Sequence, residues 1–251
     1  MRSAALPVCG SCDDTGWAFV EQDGVTRRTR CACWIAARQR YADGVPFEFQ
    51  AASLDNYRAI TGNQTAIEIA KKFAAGERDL YLCGGVGSGK TRLACSLLNA
   101  QHARDGAGYF ARVPMLLWKL QPTVIGTEAV EGSALLRRLC TEPLIVLDDV
   151  GAERDSASDY TRRTLLTIYE ERGDRQLRTI WTSNLRLAQP SKGPAKTNDE
   201  ISARLNRSPF TRTLGEFMGD DRLASRIAGR ADVIWIGASD QRIRRSREDR
   251  S

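Results

Sequence analysis

The stretch GGVGSGKT, residues 84–91, constrains this chain more than any other feature. It matches G-x-x-x-x-G-K-[ST], with Gly84, Gly89, Lys90 and Thr91 at the fixed positions. It also stands between an apolar run, DLYLCG, and an amphipathic segment, GKTRLACSLLNAQHA. Strand, loop and helix in that order are what a phosphate cradle requires. The small residues of the loop let the backbone N–H groups of Gly85, Val86, Gly87, Ser88 and Gly89 converge on phosphate oxygens, and the helix N-terminus adds a favourable partial charge. In such a cradle Lys90 reaches the β and γ phosphates, and the Thr91 hydroxyl coordinates Mg²⁺.

A second motif completes the chemistry. PLIVLDDVG, residues 143–151, is an apolar strand ending in two carboxylates. A strand of this kind delivers Asp148 to the C-terminal edge of the sheet, where it can hold the Mg²⁺ shell, and leaves Asp149 to orient and polarise an attacking water. Acidic residues also cap strands and helices for structural reasons. The phosphate loop upstream favours the chemical reading, with a nucleoside triphosphate and Mg²⁺ as ligands. Two further residues are candidates. RTIWTSNL places Asn184 at a strand end, either as a contact to the γ-phosphate or its water or as a simple turn residue. GDDRLASRI places Arg226 on a short helix, either exposed in solvent or serving as a finger for a neighbouring subunit.

The fold class follows from alternation. DLYLCG, GYFARV, LIVLDDV, RTIWTSN and DVIWIG read as five strands separated by amphipathic segments, which predicts a doubly wound parallel sheet of the α/β class. YADGVPFEFQAASLDN mixes Gly, Pro and polar residues and reads as a linker. The expected organisation is therefore a small module over 1–40, a linker over 41–56, a nucleotide-binding domain over 57–238 and a basic tail over 239–251. The stretch 188–200 reads as a loop. Cys83, Cys95 and Cys140 lie in apolar patterns and read as core, as do Trp118 and Leu120 in VPMLLWKLQ; His102 reads as an ordinary residue near the end of its helix. Lys119, Arg137 and Arg138 are either solvated charge or part of a nucleic-acid path.

A formal charge of +6 favours an anionic partner, nucleic acid before membrane surface. The beginning of the chain has no apolar core of a signal peptide, and no run is long enough for a membrane span, so a cytoplasmic protein is expected. In that compartment seven cysteines are thiols, metal ligands or catalytic groups. Four are clustered. Cys9 and Cys12 form C-x-x-C, Cys31 and Cys33 form C-x-C, and the residues between them can fold as a hairpin that brings the pairs together. Four thiolates so spaced suit a closed, structural Zn²⁺ site, with a redox dithiol or unligated thiols as the alternatives. So short a module cannot bury enough surface to stand alone, and the metal would supply its folding energy.

GGVGSGKT, LIVLDDVG, TSNL and DDRLASRI, in this order and spacing, resemble the AAA+ ATPases of the bacterial helicase-loader group, relatives of DnaC, DnaI and the transposition helper IstB. VPFEFQAASLDNY with AIEIAKKFA, and the cysteine pairs around DDTGW, resemble the same group. The resemblance implies an AAA+ fold, a sensor 1 role for Asn184 and a trans arginine-finger role for Arg226. It further implies self-association through the nucleotide interface, with the cysteine module gripping a hexameric replicative DNA helicase. The implied activity is loading that helicase onto single-stranded DNA, with Mg²⁺-dependent ATP hydrolysis as the switch. Many members carry Glu where Asp149 stands, and the shorter carboxylate implies slow turnover. The alternative implied by IstB is an ATP-bound transposition helper on duplex DNA; a third reading is an adaptor that binds nucleotide without hydrolysing it.

Overall fold

A computed structural model of the chain describes residues 9–12, 17–22, 24–31, 41–57, 64–73, 76, 78–121, 127–152, 156–187 and 212–237. Five strands form one parallel sheet: β3 (Asp79–Gly84), β4 (Tyr109–Arg112), β5 (Leu144–Val150), β6 (Arg178–Ser183) and β7 (Ala231–Ile236), side by side in the order β4-β5-β6-β3-β7. All five strands expected from the apolar runs are present. The central strands are buried on both faces, which is why they read as continuous apolar runs.

Side-chain alternation divides the core into two layers. Leu80, Leu82, Leu144, Val146 and Ile180 face one side, where they meet Leu93, Leu97 and Leu98 of α2 (Lys90–Asp105) and Phe73 of α1 (Gln64–Phe73). Tyr81, Ile145, Leu147 and Trp181 face the other. There they pack with α3 (Val113–Lys119), α4 (Thr127–Leu139), α5 (Asp159–Asp174), α6 (Leu214–Met218) and α7 (Arg222–Arg230). Cys83, Cys95 and Cys140 are buried, as expected.

Two sequence expectations are corrected. The stretch 41–56, expected as a linker, is a strap bound to the first core layer. Ala42, Val45, Ala52 and the adjoining Tyr57 are buried. Asn99 Nδ2 of α2 donates to Ala52 O at 3.0 Å, and Phe110 N of β4 donates to Asp43 O at 2.8 Å. Gly and Pro in this stretch serve turns in a packed segment, so composition alone misreads it. Trp118 is the second correction, since 65% of its surface is exposed. With Pro114 in its first turn, α3 turns Val113, Leu116 and Leu117 inward, and Met115 and Trp118 point out. Leu120 does pack against the core.

Residues β1 (Trp17–Gln22) and β2 (Val25–Arg30) form an antiparallel hairpin closing at Gln22↔Val25, with Gly24 at φ 74° in the turn. The Arg28 guanidinium stacks over the Trp17 ring at 3.9 Å. The expected loop at 188–200 and the basic tail at 239–251 lie outside the described residues. Among the described residues no helix is long and apolar enough to cross a membrane.

Candidate nucleotide site

The loop 84–89 joins β3 to α2 at the C-terminal edge of the sheet. Gly84 has φ 151°, and a Cβ there would lie 2.4 Å from Ile236 O, so the close approach of β7 excludes any side chain. Gly89 has φ 98° and is covered by Tyr57, whose hydroxyl donates to Gly89 O at 3.4 Å. Gly89 offers no side-chain cap to α2, which leaves the first backbone N–H groups of the helix facing the loop. Ser88 Oγ is buried and has no hydrogen-bond partner in the protein. A loop with an uncapped helix start and an orphaned hydroxyl fits a phosphate group. Lys90 Nζ donates to Gly84 O at 3.0 Å, Gly85 O at 2.7 Å and Asn184 Oδ1 at 2.9 Å.

β5 brings the acidic pair to the same edge. Thr91 Oγ1 donates to Asp148 Oδ1 at 2.9 Å, and Thr182 Oγ1 donates to that same oxygen at 2.7 Å. Arg112, at the end of β4, is 4.0 Å from Asp148 Oδ2. Burial pushes the Asp148 carboxyl above the usual carboxylate range, against the lowering effect of the two threonine hydroxyls. The donor set fits Mg²⁺, a hard ion with octahedral bonds of about 2.1 Å that put neighbouring ligand oxygens about 3 Å apart. Bound there, the ion would neutralise charge on the β and γ phosphates. Asp149 has φ 64°, a conformation uncommon outside glycine, and sits where the β5–β6 register shifts between Leu147 and Val150. Its backbone N–H donates to Thr182 Oγ1 at 2.9 Å.

The structure thus gathers Lys90, Thr91, Asp148, Asp149 and Asn184 at one sheet edge. Arg226 stands apart, on the exposed side of α7, where its guanidinium pairs with Glu170 of α5. Arg138 is engaged by Asp43, Glu142 and the face of Tyr109, while Arg137 is exposed. Sequence reading overlooked Thr182, Tyr57 and Arg112. The signal for Thr182 was available, as a hydroxyl in the buried strand RTIWTS two residues before Asn184.

At the other end of the chain the sulfurs of Cys9, Cys12 and Cys31 lie within 4.8 Å of one another, and Cys9 Sγ is 3.7 Å from Cys31 Sγ. A tetrahedral zinc with bonds of about 2.3 Å has sulfur–sulfur edges of about 3.8 Å, so the three thiols fit such an ion. Cys33, the fourth expected ligand, lies outside the described residues.

A family model described as IstB-like ATP binding protein matches residues 21–205 of the 251. The chain belongs to this family. The match spans the phosphate loop, the acidic strand and Asn184; Cys9, Cys12 and Arg226 lie beyond it. The IstB-like chain is 32% identical over 155 residues to a putative insertion sequence ATP-binding protein, y4pL, of Sinorhizobium fredii (strain NBRC 101917 / NGR234). The alignment covers 60% of this chain and spans 60% of that relative's length. Among solved structures, the DnaC helicase loader superposes with a TM-score of 0.57 at 24% identity, covering 76% of this chain and 99% of that one. DnaI superposes with a TM-score of 0.57 at 25% identity, covering 78% and 96%. The fold is that of the AAA+ ATP-binding proteins, as expected from the sequence.

Proposed function

We propose that this IstB-like protein loads a hexameric replicative DNA helicase onto single-stranded DNA, with ATP binding and hydrolysis as the assembly and release switch. The observation that carries this reading is the three-thiol cluster with its hairpin, ahead of a nucleotide cradle. A hairpin of two strands is at best marginal by itself in water, so a metal clip would supply the folding energy that such a docking handle needs. In this reading Cys33 closes a four-thiolate zinc site with Cys9, Cys12 and Cys31, and the handle grips the helicase.

Within the ATPase domain the backbone of 84–89 cradles the phosphates, Lys90 neutralises the β and γ groups, and Thr91 and Asp148 hold the Mg²⁺ shell. Asp149 orients and polarises water, with Asn184 near the γ-phosphate. Arg226 leaves Glu170 to stabilise transition-state charge in the neighbouring subunit. Loss of the γ-phosphate removes contacts that favour assembly, which supplies the release step.

The test is the mass of the complex with the host's hexameric helicase, by light scattering after size exclusion with ATP and Mg²⁺. A complex formed by the native chain and lost in a folded Cys9→Ser, Cys12→Ser variant is the expected result. A second reading, an ATP-dependent transposition helper on duplex DNA, is favoured by the family match and by the name of the relative y4pL. Assembly on duplex DNA with ATP, without a helicase complex, would select it.

A further inference from the structure

The last three residues of β6 and its exit each bond to a different part of the site. Asn184 Oδ1 accepts from Lys90, Ser183 Oγ donates to Val150 O at 2.6 Å, and Thr182 Oγ1 bridges Asp148 and Asp149. The Thr182 contact is the most informative because a single hydroxyl is used in both directions. Its proton goes to Asp148 Oδ1 at 2.7 Å, and its lone pair receives the Asp149 N–H at 2.9 Å. Thr182 is 1% exposed, so water does not substitute readily for either bond.

Two consequences follow from these bonds. Asp148 Oδ1 is held by Thr91 and Thr182 together, which sets the rotation of the carboxylate toward the phosphate loop. Asp149 occupies φ 64°, a conformation that a non-glycine residue keeps only when its surroundings hold it there. The Thr182 bond to its N–H is a direct restraint on that peptide. Turning this peptide over would carry the Asp149 side chain away from its present direction, along with the water it is read to orient.

We propose that Thr182 is a positioning residue that sets both acidic side chains at once, fixing the Asp148 carboxylate for Mg²⁺ and the Asp149 backbone for water activation. The inference rests on the ATPase reading above. Thr182 is buried, and its hydroxyl acts through the two aspartates it bonds. A core threonine with a purely structural role would tolerate valine with some loss of stability and no change in metal affinity. A positioning threonine must be replaced by a residue that keeps the hydroxyl.

The test compares the native chain with Thr182→Val and Thr182→Ser. Mn²⁺ affinity is read by electron paramagnetic resonance in the presence of a non-hydrolysable ATP analogue, and nucleotide affinity is read without metal. Thr182→Val should weaken Mn²⁺ binding and lower kcat, each by about 10- to 100-fold, with metal-free nucleotide affinity unchanged. Thr182→Ser should recover most of both. Native Mn²⁺ affinity and kcat in a folded Thr182→Val variant overturn the inference while leaving the ATPase reading intact. A native chain that binds neither metal nor nucleotide overturns both. Should Thr182→Val fail to fold, the smaller Thr182→Ala, which also lacks the hydroxyl, takes its place beside Thr182→Ser: a loss of Mn²⁺ affinity of about tenfold or more in Thr182→Ala that Thr182→Ser recovers supports the role of the hydroxyl, and native affinity in Thr182→Ala overturns it.

Discussion

Lys90 Nζ donates to Asn184 Oδ1 at 2.9 Å, joining the phosphate loop to the end of β6 across 94 residues of sequence. The same ammonium bonds to the carbonyls of Gly84 and Gly85. On the proposed function, an incoming γ-phosphate would compete for this proton donor and so report to β6. Lys90→Ala should abolish ATP-dependent assembly, and Asn184→Ala should retain nucleotide while turnover falls by about 100-fold. Nucleotide titration beside steady-state hydrolysis separates the two; equal loss of binding in both variants would contradict the division of roles.

Asp148 is buried, and among the described residues its carboxylate meets the hydroxyls of Thr91 and Thr182 and the Arg112 guanidinium at 4.0 Å. Desolvation makes this carboxylate costly until a cation arrives. Asp148→Asn should therefore leave the nucleotide-free protein as stable as the native chain or raise its Tm by about 2–4 °C. The same variant should lose the additional stabilisation conferred by Mg²⁺ with ATP. Thermal melts with and without the pair of ligands check both halves. Asp149→Asn, by contrast, should bind Mg²⁺ and nucleotide and abolish turnover.

Arg226 pairs with Glu170 inside its own chain. If the pair is only structural, Glu170→Gln and Arg226→Ala should have matching small effects, of about 0–1 kcal/mol on stability, as expected of an exposed pair. If Arg226 acts in a neighbour's site, Arg226→Ala keeps nucleotide and loses hydrolysis, whereas Glu170→Gln hydrolyses normally. Mixing Arg226→Ala with Asp149→Asn subunits should then restore part of the turnover, since each supplies what the other lacks. Stimulated turnover surviving in Arg226→Ala alone would sink the trans-finger assignment.

At the opposite edge of the sheet, Arg172 is buried and donates to Leu139 O, Glu142 O, Arg178 O and the Thr179 hydroxyl. Burial lowers its pKa to about 10, so it remains a cation at neutral pH. Arg172→Met would strand several acceptors and should cost about 3–5 kcal/mol, a fall in Tm of about 10 °C. Nearby Asp79 is buried and accepts from Thr179 N at 2.8 Å. Burial raises its pKa above 3.8 despite that bond and the charges of Arg230 and Arg172. A folded pKa above the unfolded one means that the contribution is complete below 3.8 and is lost as pH rises through the folded value. Urea midpoints of the native chain relative to Asp79→Asn should therefore rise as pH falls through that window.

The cysteine cluster makes a compositional prediction. Purified protein should carry about one zinc per chain, released by a thiol-reactive reagent. Cys9→Ser with Cys12→Ser should remove the metal and helicase binding while leaving nucleotide affinity unchanged. Full zinc content in that variant would rule out the site.

Local patterns were enough for the sheet, the phosphate loop and the acidic pair, because each depends on neighbours in sequence. Alternating apolar runs report burial directly, and Gly84 and Gly89 stand where the loop needs positive φ and close approach. The cysteine spacing likewise foretold the hairpin, since the four positions lie within one short segment. Only tertiary structure decided the rest. The strap at 41–57 belongs to the core because Asn99 and Phe110, far along the chain, satisfy its backbone. Trp118 faces outward because the phase of α3 is set by which side meets the sheet. Thr182 gained its place from a register shift between two strands, a relation between chain segments that no local pattern records.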